Sequence, residues 1–447
     1  MAVKVSYKAG VLALTALLLA CSQGELMLQG DRVTPRAAAE GGAVAGTDDA
    51  AALSTGATPV AISLPGQSAN ASWSQRQGTP GGRPGHPALS ANPQLIWSTG
   101  IGQGDSRRAR LTTDPVYADG RVYTLDARAH VQATSPSGAV LWGTDLTPAR
   151  DARSSASGGS LAVAGGRVFV ASAQAYLAAL DAATGQEIWR TDFAAPLTGS
   201  PAVADNRVYV TAIDSTLWGL DAATGRIEWT LPGTPALSTI ARGSAPAIAG
   251  EAVVFPTQAG ELTAVRRANG AQLWTTVAAG RRTGAALGTI PALTGDPVVD
   301  GNRIYAANQS GRVFALDART GTTIWSVEEG ANAPVWPVGG SVFLVSDQNR
   351  LLRLDASDGS LIWAQELPLY TTSRVRRRLA IYPQHGPVLA GGRLWVASGD
   401  GVLRGFDPVS GNTTAEIEIP GGAASAPIVA GGMMYILNRD GQLLAYR

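Results

Sequence analysis

From residue 115 to the C-terminus, short apolar runs alternate with polar turns at a near-regular interval. RVYVTA (207–212) and TLWGLD (216–221) have the period-two pattern and length of half-buried strands. A small residue, usually proline, opens each unit: Pro115, Pro201, Pro246, Pro297, Pro334, Pro387 and Pro427, with Leu161 as the start that lacks proline. These eight starts are spaced 37–53 residues apart.

Each unit closes on a second pattern, Asp, three residues, Gly, three residues, Trp. It is complete at Asp181-Gly185-Trp189, Asp221-Gly225-Trp229, Asp317-Gly321-Trp325 and Asp355-Gly359-Trp363. Gly138-Trp142 and Gly270-Trp274 keep the last two positions, and Asp407-Gly411 is followed by Ala415 where Trp is expected. The spacing suits a tight hairpin. Asp accepts hydrogen bonds from turn amides, Gly tolerates positive φ, and Trp returns on the next strand as a large apolar body with one N–H to satisfy.

A repeat of about 45 residues carrying four short strands predicts an all-β fold, an eight-bladed β-propeller. The ends support a ring. The unit at Pro427 reaches Arg447 without a closing Gly and Trp, while PQLIWSTGI carries Trp97 with no start before it. The N-terminal strand around Trp97 is therefore expected to close the last blade, pairing edges that would otherwise stay open. Seven blades with a decorative eighth unit is the rival; a linear solenoid lacks capping repeats.

Upstream the pattern changes. Residues 1–20 carry Lys4 and Lys8 before a short apolar run, which reads as a secretory signal rather than a spanning helix. Leu18-Leu19-Ala20-Cys21 resembles a bacterial lipobox, which implies cleavage before Cys21 and a lipid anchor on the chain's one cysteine. The expected organisation is a lipoprotein signal peptide (1–20), a lipid-anchored flexible linker (21–93) and the propeller (94–447). Ala, Gly, Ser and Pro dominate the linker, a composition that cannot bury enough apolar surface to offset its ordering entropy. Trp73, at the end of ANASW, is expected to pack against the domain.

The unit A-L-D-A-x-T-G-x-x-x-W resembles the pyrroloquinoline quinone repeat of quinoprotein alcohol dehydrogenases over residues 94–447. Lipobox, spacer, eight blades and N-terminal closing strand together are similar to one branch, the BamB (YfgL) lipoproteins of the outer-membrane β-barrel assembly machine. ANASW, GHPALS and IWSTGIGQGDSRR resemble its α-proteobacterial form. The resemblance implies a scaffold on the periplasmic face of the outer membrane. Its partners would be a BamA-like barrel-inserting subunit and nascent outer membrane proteins. In that family partner binding maps to a Leu/Arg-bearing loop before a Ser-Ala-Pro blade start and to an acidic pair in the next inter-blade loop. Here this implies Leu237, Ile240 and Arg242, although Arg242 lies nearer Ser244 than in the enteric form. The acidic pair aligns near Ala292 and Thr294, leaving Asp296 as the nearby acid.

Catalysis is not expected. The dehydrogenases that share the repeat carry a calcium site, a catalytic Asp and usually a vicinal Cys pair. This chain has one Cys, already assigned to the anchor, and no Asp/Glu/Asn run with calcium-loop spacing. The repeat Asp residues recur blade after blade, and an active site is needed once. No cofactor and no metal are therefore expected. His86, His130 and His385 stand alone in sequence and read as exposed structural residues; Trp218 and Trp336 read as core or docking surface. GQGDSRR (102–108) has a Gly-x-Gly with no helix to follow it. Net charge is +1, which gives no reason to expect nucleic acid. Two basic patches, Arg107/Arg108/Arg110 and Arg374/Arg376/Arg377/Arg378, are solvated faces or surfaces for acidic headgroups or an acidic partner. Three alternatives stand beside the scaffold: a periplasmic ligand-binding propeller with its site at the channel mouth, a chaperone that pairs client strands to a blade edge, and, against the missing calcium site and Cys pair, a PQQ-dependent dehydrogenase.

Overall fold

The computed structural model describes residues 60–148, 158–236, 243–278, 280 and 290–447. Eight four-stranded antiparallel sheets follow one another along the chain. They span 116–145, 159–192, 197–231, 247–277, 293–327, 336–366 and 384–418, and the eighth combines 428–446 with the strand Leu95–Gly100. We number these blades one to eight. In each, the first strand lines the central channel and the fourth forms the rim.

The ring closes as the orphan Trp97 predicts. Leu95–Gly100 pairs antiparallel with Gln442–Tyr446, Trp97 opposite Ala445. Gln94 and Arg447 exchange backbone hydrogen bonds of 2.8 and 3.0 Å just beyond the strand ends. The eighth blade is thus complete, and the seven-bladed rival is excluded.

The repeat motif is the joint between blades. Each Trp leaves the rim strand of one blade and lies on the hairpin glycine of the next. Trp189 Nε1 donates to the Ala222 carbonyl at 3.1 Å, and a Cβ added to Gly225 would sit 2.5 Å from Trp189 Cε3. Gly225 has φ +72°. Glycine is required there twice over, by backbone conformation and by the indole on its face. The same joint recurs from Trp142 to Gly185, Trp229 to Gly270, Trp274 to Gly321, Trp325 to Gly359 and Trp363 to Gly411, and from Trp97 across the closure to Gly138. The repeat aspartates hold the hairpin. Asp221 Oδ1 accepts from Thr224 N at 2.8 Å and Thr224 Oγ1 at 2.7 Å. These bonds to the Thr224 hydroxyl and to turn amides draw the Asp221 carboxyl below the usual carboxylate value.

Ala415 now has a reason. A Trp there would project toward blade eight. In that blade the third and fourth strands come from opposite ends of the chain, so no hairpin joins them and no glycine cradle exists. The motif fails at the one joint that has nothing to receive it. The joints also contain a residue not singled out from the sequence. Two positions after Trp, Thr99, Thr144, Thr191 and Thr276 each donate to the carbonyl of the receiving glycine at 2.6–2.8 Å. Trp-x-Thr in four units was the available signal.

Candidate functional site: a strapped channel and a loop face

Residues 60–93 do not form a flexible linker. They run as a strap around one mouth of the channel, against the inner strands of blades one, two and four to eight. Backbone hydrogen bonds tie it to the blades in ring order. Asn70 O accepts from Gly431 N in blade eight, and Trp73 exchanges bonds with Tyr117 in blade one. Ser74 O accepts from Val163 N in blade two, Pro80 O from Ile248 N in blade four, Gly81 O from Val299 N in blade five and Pro87 O from Gly391 N in blade seven. In blade six Arg83 donates to the Pro334 and Val335 carbonyls. Low hydrophobicity misleads here because the strap is held largely by its backbone. Its glycines permit close approach: a Cβ on Gly81 would lie 2.4 Å from the Ile248 carbonyl oxygen, and one on Gly82 2.6 Å from that of Val299.

The few large side chains of the strap point inward. Trp73 is 1% exposed, so it joins the core rather than resting on the surface. Its ring lies 6.3 Å from that of Trp336, and the Arg83 guanidinium sits 4.9 Å over Trp336. The strap therefore takes up the aromatic face that Trp336 offers to the channel. His86 is buried, not exposed as the sequence reading held. Its Nδ1 lies 2.8 Å from the Pro65 carbonyl and its Nε2 accepts from Gly392 N at 2.8 Å. With Nε2 accepting from Gly392, the ring proton that faces the Pro65 carbonyl belongs on Nδ1.

Arg76 occupies the channel centre. Its Nη1 lies 2.9 Å from Asp296 Oδ1 and its Nε 3.3 Å from Asp114 Oδ2, with the Arg76 and Asp296 side chains 6% and 0% exposed. The two acids immediately precede Pro115 and Pro297, the starts of blades one and five, which face each other across an eight-membered ring. Each also accepts a backbone N–H from the preceding blade's start, Ala426 N to Asp114 Oδ1 and Ala245 N to Asp296 Oδ1, both 2.9 Å. Arg83 is the second cation here. Burial lowers its pKa to about 10 against the opposing pull of Asp296, which leaves it charged at neutral pH. Two cations and two anions balance within the channel.

This arrangement decides several expectations. Asp296 is not a loop acid offered to a partner; its carboxylate is enclosed and ion-paired. Leu237, Ile240 and Arg242 lie outside the described residues, as do Cys21, the signal segment and linker residues 21–59. Trp218 packs edge-on against Phe193 at 5.0 Å. Among the described residues no group of three or more His, Cys, Asp or Glu side chains is placed to hold a metal ion, and no helix is long and apolar enough to cross a membrane. Sequence reasoning missed Arg76 and Asp114. The signal was the pair of Asp-Pro blade starts, DPVYADG and DPVVDG, set four blades apart.

The other mouth of the channel lies on the face formed by the connectors from each rim strand to the next inner strand. A cavity of about 400 Å³ opens there, floored by Arg76 and Arg83 and rimmed by Asn349, Tyr382 and Gln384. The connector from blade six to blade seven forms a separate arm, Tyr370 bridging antiparallel to Ile381.

Comparison with known proteins supplies the lineage. The family model described as outer membrane protein assembly factor BamB matches residues 118–365 and 371–447. The BamB of Salmonella typhimurium is 31% identical over 360 residues, covering 79% of this chain and 88% of the relative. Among solved structures, BamB from Moraxella catarrhalis superposes with TM-score 0.66 at 18% identity, covering 79% of this chain and 99% of that one. A europium-containing methanol dehydrogenase superposes with TM-score 0.62 at 14% identity, over 82% of this chain and 89% of that one. Those two superpositions speak for the propeller alone, which scaffold and enzyme share. The family match runs, with one short gap, from the first strand of blade one to residue 447, and by it this chain belongs to the BamB family of outer membrane protein assembly factors.

Proposed function

We propose that the protein is a non-enzymatic scaffold of outer-membrane β-barrel assembly, binding a BamA-like barrel-inserting subunit through its connector face. Family membership supports the process. The observation that supports the mode of action is the strap that occupies one end of the channel. The aromatic face of Trp336 and the two channel acids are taken up by the chain's own Trp73, Arg83 and Arg76. Binding then falls to the connector face. The proposed contacts are Leu237, Ile240 and Arg242, which lie in sequence between the last strand of blade three and the first strand of blade four. With Asp296 withdrawn into the channel, the partner's contacts there would be apolar and to Arg242, without the acidic pair of the enteric form. Cys21 would tether the protein to the periplasmic face of the outer membrane.

The test is affinity purification from native membranes in mild detergent, followed by mass spectrometry. Stoichiometric recovery of the barrel-inserting subunit, lost in a Leu237→Ala/Ile240→Ala/Arg242→Ala variant of unchanged melting temperature, is the expected result. Recovery of the protein alone, or with a cytochrome or dehydrogenase, would overturn the reading.

A further inference from the structure

The connector between blades six and seven is unlike the others that the structure describes. Leu369–Thr371 and Ala380–Tyr382 form a short two-stranded stem, with Tyr382 N donating to Leu369 O at 2.8 Å and Thr371 N to Ala380 O at 3.1 Å. Its tip, 372–379, carries a single 3-10 turn, Val375–Arg377, in which nothing is buried. Leu379 is 96% exposed and Val375 73%, the two most exposed large apolar side chains among the described residues. Arg374, Arg376, Arg377 and Arg378 surround them. Among the described residues none of the four meets a carboxylate. Arg378 contacts the Tyr370 ring at 4.9 Å and the Ser373 carbonyl at 3.4 Å.

A well-formed arm that places apolar residues in water, ringed by cations that meet no carboxylate among the described residues, is unfavourable unless something covers it. We infer that the tip of this arm inserts into an anionic lipid surface, with Val375 and Leu379 entering the headgroup boundary and the arginines pairing with lipid phosphates. Shape favours lipid over protein. The tip is convex and short, whereas a stable protein interface needs about 800 Å² per partner with a complementary surface. A bilayer needs only an apolar apex and a cationic collar. The basic run 107–110 lies on the same face, in the connector from blade eight to blade one, with Arg107 and Arg108 exposed. It adds positive charge on the side that would approach the lipid. The inference stands apart from the proposed partner loop, since it uses a different connector and a different ligand.

The experiment uses the chain from Ser22 onward, which keeps every described residue and carries no acyl group. Co-sedimentation is measured with vesicles of phosphatidylglycerol and, separately, of phosphatidylcholine. The expected result is binding to the anionic vesicles alone, weakened by salt. Each arginine removed in an Arg374→Ser, Arg376→Ser, Arg377→Ser, Arg378→Ser series should lower partitioning about fivefold. Val375→Ser/Leu379→Ser should lower it further at unchanged charge. These residues lie outside the core, so melting temperatures should match the parent, and a variant that does not match is replaced by its single substitutions. Because Cys21 is the chain's one cysteine, Leu379→Cys in this form offers a unique site for an environment-sensitive dye. A blue shift on anionic vesicles places the tip in the boundary. Absence of vesicle binding, binding indifferent to both variant sets, or an unmoved dye would each overturn the inference. So would capture of the barrel-assembly subunit by the arm in detergent without vesicle binding, which would make it a protein-docking arm.

Discussion

Around the rim of the ring, each blade is fastened to the next by one device used seven times, an indole lying on a hairpin glycine. At the hub, blades one and five are bridged across the channel by one arginine used once. The rim joint is apolar, local and redundant: each Trp buries area against a neighbouring blade and satisfies its N–H on a carbonyl there. The hub joint is ionic and enclosed, and it reaches the propeller from a segment outside the repeats. Loss of one rim joint leaves six. Loss of the hub arginine leaves two buried carboxylates without the cation that bridges them.

The largest effect should come from the joint that closes the rim. Deleting residues 94–101 removes the fourth strand of blade eight and, with Trp97, its contact to Gly138. It also exposes the edge of Gln442–Tyr446. The expected outcome is loss of the single cooperative melting transition, read by calorimetry. Retention of one sharp transition near the parent temperature would mean that the ring does not depend on closure.

The hub comes next. Arg76→Met should destabilise by about 3–5 kcal/mol, the usual cost of removing one partner from a buried ionic cluster. Adding Asp114→Asn and Asp296→Asn to that variant should recover part of the loss, because the uncompensated charge goes with them. Chemical denaturation of the parent, the single and the triple variant measures both. A loss in the triple variant as large as in the single would assign Arg76 a packing role and remove the distinction between hub and rim.

The same contrast explains what could be read in advance. The rim was legible because repetition averages out local ambiguity. Four full copies of Asp-x3-Gly-x3-Trp fixed the turn chemistry, and the unpaired Trp97 fixed the closure. The strap was not legible, since TPGGRPGHP has the composition of a linker. Its order comes from backbone hydrogen bonds to turns far away in sequence, and glycine there serves close approach instead of freedom. Arg76 looked like one charge in a polar tract. Only the facing pair of Asp-Pro starts marked where its partners would be. Asp296 was singled out, but by analogy with a surface loop, and its depth in the channel depends on blade geometry that no local pattern states.

A finer break separates conformation from contact within the rim joint. Gly225→Ala meets both a φ of +72° and the Trp189 ring at 2.5 Å. It should cost roughly 2–5 kcal/mol. Gly301→Ala meets a φ of +59° with nothing within 4 Å, so it should cost only the conformational share, about 1–2 kcal/mol. The difference between the two, read from urea midpoints, isolates what the indole contact adds. Equal costs would mean that the joint's glycines are conserved in the repeat for backbone reasons alone.

The smallest effect belongs to the hairpin aspartates, and its sign follows from their surroundings. At Asp221 and Asp181 the hydroxyl of Thr224 or Thr184, and at Asp317 the Thr320 amide, is the leading cause that holds the carboxyl below its ordinary value of 3.8. A carboxyl lowered in the folded state contributes stability that is fully present above the unfolded value. That contribution is lost as pH falls through the folded one. Melting temperature should therefore hold from neutrality to about pH 5 and decline below about pH 4. Asp221→Asn should flatten that decline slightly while lowering the plateau, because the amide still accepts from Thr224 but carries no charge to lose. The three carboxyls are solvent-facing, so screening keeps each contribution small. An acid limb in Asp221→Asn identical to the parent's would remove this hairpin carboxyl as a cause of the decline.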